Sequence, residues 1–532
     1  MFDVIIRNGQ VIDGTGKERF SADVGIVGDK VVKVGDLSGQ DASRVIDADG
    51  LIVAPGFIDM HAHEYSILAD PHADSKLRQG VTTEVQGNCG MSLAPAVGKG
   101  IPAVRSMLQT FGEAAGKVHI PWSSMAEHLD YLDENGLVAN YAMLVGHGTA
   151  RASVMGFDNR APSDNEMKQM KQIVSEAMEE GAWGLSSGLI YLPALYSKTD
   201  ELVELAKVAA EYGGIYTSHI RGEHDPILKD AIAEAIEIGR QAKIPVEISH
   251  FKAYGKGLWG RAYEFLKMLD DARTEGVDIN ADAYPYIATH TMLRAILPGW
   301  VQEGGNEKMI ERLVDHDLRN KARQDISDGN VIYFKGVGWD GVRLVRSSLD
   351  DSLTGKNISE IAEKRGKDPC ETAFDLLVEE PTLRANYFAL DEDDVRKILK
   401  HPLVVIGSDS YALADQGPLA QGRPHPRCYG TFPRVLGKYS REEGLFPLEQ
   451  AVRKMTSMSA QKIGLTGRGV LEEGAFADIA VFNPETVADR ATYENPHQYP
   501  DGIPYVLVNG RVVVENGDYT GELAGKVLRH KG

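Results

Sequence analysis

GFIDMHAH, residues Gly56 to His63, runs apolar, turns polar at Asp59 and ends in two histidines one residue apart. In a strand, residues i and i+2 project to the same face, so His61 and His63 point the same way at the strand's C-terminal end. Neutral imidazole is the commonest side-chain metal ligand, and two on one face make half a metal site. A lone pair of this kind is weak evidence, because most strand histidines are surface or core residues. This one gains weight from its place after a buried strand and from what lies on either side of it.

Upstream, residues 1–54 read as short strands broken at Asn-Gly, Gly-Asp and Asp-Gly, pairs that supply the positive φ of tight turns. The C-terminal stretches FADIAVFNP and YVLVNGRVVVENG have the same texture. Neither tail is long enough for a stable core, and chain termini are often neighbours in space. The expectation is one β-sandwich domain built from 1–54 plus 465–532.

Between the tails, β-rich runs alternate with helical ones. Strands are expected near 57–63, 81–87, 140–146, 182–187, 215–219, 246–250, 278–284 and 403–409. One helix begins at Ser163 with Glu166 three residues on, a capping box. Another is expected to begin at Asp225-Pro226, an N-cap followed by proline at the first helical position. Eight β units alternating with helices predict an α/β fold, a TIM-like (β/α)8 barrel over 55–464. The gap between strands seven and eight predicts a long insertion within 286–400, of the kind that forms lids.

A net charge of -20 sets nucleic acid and anionic lipid aside as partners. Three cysteines in 532 residues make no disulfide framework and fit a reducing cytoplasm. The start, MFDVIIRNG, lacks the pattern of a secretory signal, and no apolar run approaches a membrane span. The expected location is cytoplasmic; the oligomeric state is not set by the sequence.

In a barrel the chemistry sits at the C-terminal ends of the strands. Strand one ends in His61 and His63, strand two runs into Cys89, strand five carries His219, strand six His250 and strand eight Asp409. Singly, each has a dull reading as a core histidine or small buried thiol. Together, four imidazoles, a thiolate and a carboxylate suit zinc better than calcium or magnesium, which prefer oxygen shells. Such a metal lowers the pKa of bound water toward ~7 and polarises a carbonyl. Asp409 is then placed as general acid and base, and the logical reaction is hydrolysis of an amide or related C–N bond.

At these residues the chain resembles the amidohydrolase superfamily and, within it, the D-aminoacylases (N-acyl-D-amino-acid deacylases). The resemblance spans nearly the whole chain through PGFIDMHAH, GVTTEVQGNCGMSLAP, HIRGEHD, ISHFKAYGKGLWGRA, DAYPY, IGSDS and HPRCYGTFPRVLG. The first and IGSDS mark only the superfamily; NCGMSLAP and HPRCYGTFPRVLG are far more specific. It implies one tightly held zinc on Cys89, His219 and His250, and a second, weaker site at His61 and His63 near Asp409. It also implies a free α-carboxylate on the substrate, held by Lys252 and Tyr284; Tyr191, just past strand four, is placed by its position to face the pocket.

One departure stands out. Where the family often has a serine pair then threonine after YPY, this chain has Thr289-His290-Thr291, followed by Arg294. His290 and Arg294 either read a larger or acidic substrate side chain or lie on a solvent-facing loop. Arg221 and Glu223 are expected to pair with each other or to orient a ligand. His147, His425 and Arg427 stay open between structure and substrate, and Cys370 and Cys428 read as structural thiols. The implied activity is zinc-dependent hydrolysis of N-acyl-D-amino acids to a carboxylate and a free D-amino acid, with metal-bound hydroxide as nucleophile. Cyclic-amide opening or deamination is the alternative reaction, and a non-catalytic scaffold the alternative class.

Overall fold

Strands from the two ends of the chain share one core. The computed structural model describes residues 1–63, 65–109, 119–331 and 334–531. A four-stranded sheet is N-terminal throughout: Phe2–Arg7 lies between Asp23–Val27 and Ala42–Asp47, with Lys30–Gly35 outside. The seven-stranded sheet mixes the ends, placing Ile52–Pro55 antiparallel to Ile479–Phe482. Alternation aims Val4, Ile6, Val24 and Ile26 at Val53, Ile479, Val481 and Leu507 in a single apolar cluster. Asn8, Asn509 and Asn516 take positive φ at the expected Asn-Gly turns.

The central strands run parallel in chain order. They are Phe57–Asp59, Val81–Gln86, Asn140–Met143 continuing as Val145–Gly146, Gly184–Gly188, Ile215–His219, Val246–Ile248, Ile279–Ala283 and Val404–Ile406. The ring closes where Met60 N donates to Ile406 O, Asp409 N donates to His61 O and Ala62 bridges Ser410. This is an eight-stranded parallel barrel. Several strands stop short of their expected ends, because the chemistry-bearing residues lie in the turns just beyond.

Two sequence expectations are corrected. The helix Leu228–Ala242 starts after Ile227, with no side-chain cap from Asp225. His224 is held in a parallel bridge to Tyr254 and residues 225–227 form a turn, so the helix begins only at Leu228. The C-terminal span does not stay with the sandwich either. Val527–Leu528 pairs with Asn140–Met143 in the barrel sheet, because strand three meets strand four only along Val145–Gly146 and leaves its lower edge open. The helix Asp164–Glu179 does begin with the Ser163–Glu166 capping box.

Between strands seven and eight, Ala288–Met292, Arg384–Phe388 and Val342–Arg346 form a separate antiparallel sheet with helices around it. No helix among the described residues is long and apolar enough to cross a membrane.

Barrel and sandwich meet at Phe57. Its buried ring stacks on Phe432 at 5.8 Å and lies 6.2 Å from Phe482 of the mixed sheet. Phe57→Ala removes both contacts and is expected to cost about 3–5 kcal/mol, read as a lowered urea midpoint. A midpoint equal to the parent's would show that this junction carries no such weight.

Candidate active site

The Sγ of Cys89 lies 3.3 Å from His61 Nε2, 3.5 Å from His250 Nε2 and 3.6 Å from His219 Nδ1. Asp409 closes the group, its Oδ1 3.2 Å from His63 Nε2 and 3.7 Å from His61 Nε2. All six residues named from the sequence therefore meet at one end of the barrel. The ligand atoms of His61, Cys89, His250 and Asp409 lie within 4.8 Å of one another, and His219, Glu223 and His250 form an overlapping group. Thiol, imidazole and carboxylate are the donors zinc takes, and the residues present fit that metal. Burial pushes the Cys89 thiol up, partly offset by His61; a bound cation reverses that balance and favours the thiolate. Burial also holds His219 and His250 well below the usual histidine range, so both keep lone pairs for a metal.

Bringing these groups together strains the backbone. Cys89, His250 and Asp409 have φ of 56°, 38° and 50°, the left-handed region that side-chain-bearing residues seldom enter. Gly188 makes room for the cysteine turn, since a Cβ there would sit 2.0 Å from Cys89 O.

The groups that orient the candidate ligands were only partly visible beforehand. Asp282 accepts from His61 Nδ1 at 3.2 Å and from the His250 amide at 2.9 Å. It stands in the quoted DAYPY segment, two residues before Tyr284, so strand parity was the available signal. Asp59 accepts from the Ser408 amide, the His61 amide and the Lys76 ammonium, which also reaches Glu84. Glu223 does not pair with Arg221, whose guanidinium goes to Glu234 at 2.9 Å. Glu223 Oε1 instead lies 3.0 Å from His250 Nδ1 and accepts from Lys252 at 2.5 Å. A carboxylate behind a ligating histidine fixes its tautomer and orientation.

Of the residues expected to meet substrate, Tyr191 packs edge-on to His219 at 5.0 Å, and burial with the nearby Cys89 pushes its hydroxyl pKa well up. Lys252 is buried behind the Tyr284 ring, 5.7 Å from its centre, and borders a small pocket with Phe251 and Leu390. The buried Tyr284 hydroxyl has no hydrogen-bond partner among the described residues. His290 is on the strand Ala288–Met292 rather than on a solvent-facing loop; it bonds Asn386 at 3.0 Å and accepts from Arg384 at 2.8 Å. Arg294 bonds Asn306, and burial beside Arg384 lowers its pKa to about 10.

Arg427 donates to Asp409 Oδ2 at 2.7 Å. Burial opposes a charged Asp409, but Arg427 and the histidines outweigh it and hold the carboxyl well below the usual range. His425 donates to Ala288 O and accepts from the Arg427 amide, tying this segment to the insertion. His147 bonds Glu201, which also holds Arg151, and so anchors the helix His147–Met155. Cys370 and Cys428 are buried free thiols outside the donor group.

These groups open onto a cavity of about 280 Å³ lined by His63, Cys89, Tyr191, His290, Arg294, Arg384, Asp409 and Arg427 among others. Arg384 was not named from the sequence; it lies 94 positions from His290, and no local pattern ties the two.

A family model described as "Amidohydrolase family" matches residues 44–514. The chain is 39% identical to a D-aminoacylase of Alcaligenes xylosoxydans xylosoxydans, over 99% of this chain and 97% of the relative. It is 36% identical to an N-acyl-D-glutamate deacylase of the same organism, over 99% and 96%. The fold is similar to the crystal structure of an N-acyl-D-glutamate deacylase from Bordetella bronchiseptica, complexed with zinc and a phosphonate inhibitor that mimics the tetrahedral intermediate. There the TM-score is 0.83 and the identity 36%, covering 99% of each chain.

Removing Asp282 as a carboxylate (Asp282→Ala) is expected to weaken zinc binding by about 10–100-fold, measured by competition with a chromophoric chelator. Cys89→Ala is expected to lose most of its zinc on purification. Parent-level zinc in the cysteine variant would remove Cys89 from the ligand set.

Proposed function

The chain belongs to the amidohydrolase family, and on that footing we propose that it hydrolyses the amide bond of N-acyl-D-amino acids. Water adds to the acyl carbon, the C–N bond breaks, and a carboxylate and a free D-amino acid leave. The observation that carries this reading is a zinc-type donor group and a cationic wall, Arg427 with Arg384 and Arg294, lining one cavity. A substrate with an amide at one end and a carboxylate at the other spans those two features. The reading also draws on the deacylases to which the chain is similar over its full length.

His61, His63, Cys89, His219, His250 and Asp409 are the residues that would hold zinc, tightly at Cys89, His219 and His250 and more weakly at His61 and His63. Bound there, zinc supplies Lewis-acid chemistry that polarises the amide and acidifies water. Asp409, kept ionised by Arg427, takes the proton of the attacking water and returns it to the leaving nitrogen. Tyr191, kept protonated, offers its hydroxyl to the carbonyl oxygen as charge develops. Arg427 and the Tyr284 hydroxyl, which has no hydrogen-bond partner among the described residues, receive the α-carboxylate, with Lys252 behind the tyrosine ring. His290 and Arg294 face the amino-acid side chain, where a cationic wall suits a larger or acidic group. Three reduced thiols fit a cytoplasmic enzyme.

Asp409→Asn is expected to lower kcat by about 10²–10⁴-fold while the protein keeps the zinc bound at Cys89, His219 and His250. A variant with near-parent kcat would remove Asp409 from proton transfer. Arg294→Ala is expected to raise KM for N-acetyl-D-glutamate by about tenfold or more and to leave that for N-acetyl-D-methionine within about twofold. Equal effects on both would remove the acidic-side-chain reading.

A further inference from the structure

The cavity of about 280 Å³ has an apolar side as well as a cationic one.

The direction in which the acyl group leaves follows from where the other substrate groups go, and so rests on the deacylase reading. On that reading Asp409 meets the leaving nitrogen, and Arg427 with Tyr284 is assigned the α-carboxylate. These three come from the end of the eighth strand, the segment after it and the end of the seventh. The amino-acid half therefore occupies that side of the barrel mouth. With the carbonyl over Cys89 and Tyr191, the acyl chain leaves across the mouth, over the loops that follow strands two, three and four. There the wall changes character. Met91, Ala152, Phe157, Ile190 and Leu195 line it, with Leu297 of the insertion opposite. Past Cys89, those three loops contribute no charged side chain to the described lining. Phe157, 38% exposed, stands at the rim.

We propose that this arm binds the hydrocarbon of the acyl group, and that the preferred substrates carry linear acyl chains longer than acetyl. Binding energy from a remote chain raises kcat/KM when it holds the amide in register with the catalytic groups.

The test is kcat/KM for acetyl, butanoyl, hexanoyl, octanoyl and decanoyl derivatives of D-glutamate and D-methionine with the zinc-loaded enzyme. The expected gain is at most about fourfold per methylene, and at least about a hundredfold in all between acetyl and octanoyl. Values that stay flat or fall beyond acetyl overturn the proposal and leave the deacylase reading intact. No turnover of any member overturns both. N-acetyl-D-2-aminooctanoate is expected to show no such gain over N-acetyl-D-methionine; an equal gain would assign the arm to the side chain and overturn the proposal. Leu195→Trp, which fills the arm, is expected to lower the octanoyl-to-acetyl ratio by about tenfold or more. Ile190→Asp, which makes it polar, is expected to do the same without adding bulk. Unchanged ratios in folded forms of both variants overturn the proposal.

Discussion

One thiol sulfur within 3.6 Å of three imidazole nitrogens is the constraint around which this molecule is built. Gathering a thiol, four histidines and an aspartate in a buried space is costly unless each group is oriented and charge-balanced. Asp282 turns His61, Glu223 turns His250, and Arg427 balances Asp409. The left-handed backbone at Cys89, His250 and Asp409 is held in place by the same packing. Below them the buried Lys76 bridges Asp59 and Glu84, joining the first two strands under the histidine pair.

The rest of the fold divides the work around that point. The barrel supplies the reacting groups because its strand ends converge on one mouth. The insertion supplies the far wall, and its three-stranded sheet aims His290 and Arg384 at the same space from strands nearly a hundred residues apart. Among the described residues, none of the sandwich strands lines the cavity. The sandwich buries the underside of the first strand through Phe57, Phe432 and Phe482, and the last strand of the chain seals the edge that strand three leaves open.

Much of this was legible in the sequence. Period-two alternation and Asn-Gly pairs marked the terminal strands, and the capping box marked the helix after Ser163. His61, His63, Cys89, His219, His250 and Asp409 were legible because they stand at the ends of five strands, where barrel topology alone brings them together. Partners were much less so. Arg221 and Glu223 stand two apart, yet each bonds elsewhere, since the turn after His219 sends their side chains to different elements. Asp225-Pro226 has the composition of a helix start, but after the bridge at His224 both lie in a turn and the helix begins only at Leu228. Arg384 had no local signal at all.

By itself, then, the sequence determined the element types, the barrel order and the chemical identity of the donor group, because those depend on short-range periodicity and on residues at strand ends. Only the tertiary structure decided which carboxylate orients which histidine, that His290 sits on a strand beside Arg384, and that the mouth has one cationic wall and one apolar arm. Those outcomes depend on the direction in which side chains leave turns with unusual backbone angles, and on contacts between segments far apart in the chain. Neither leaves a periodic trace in the sequence.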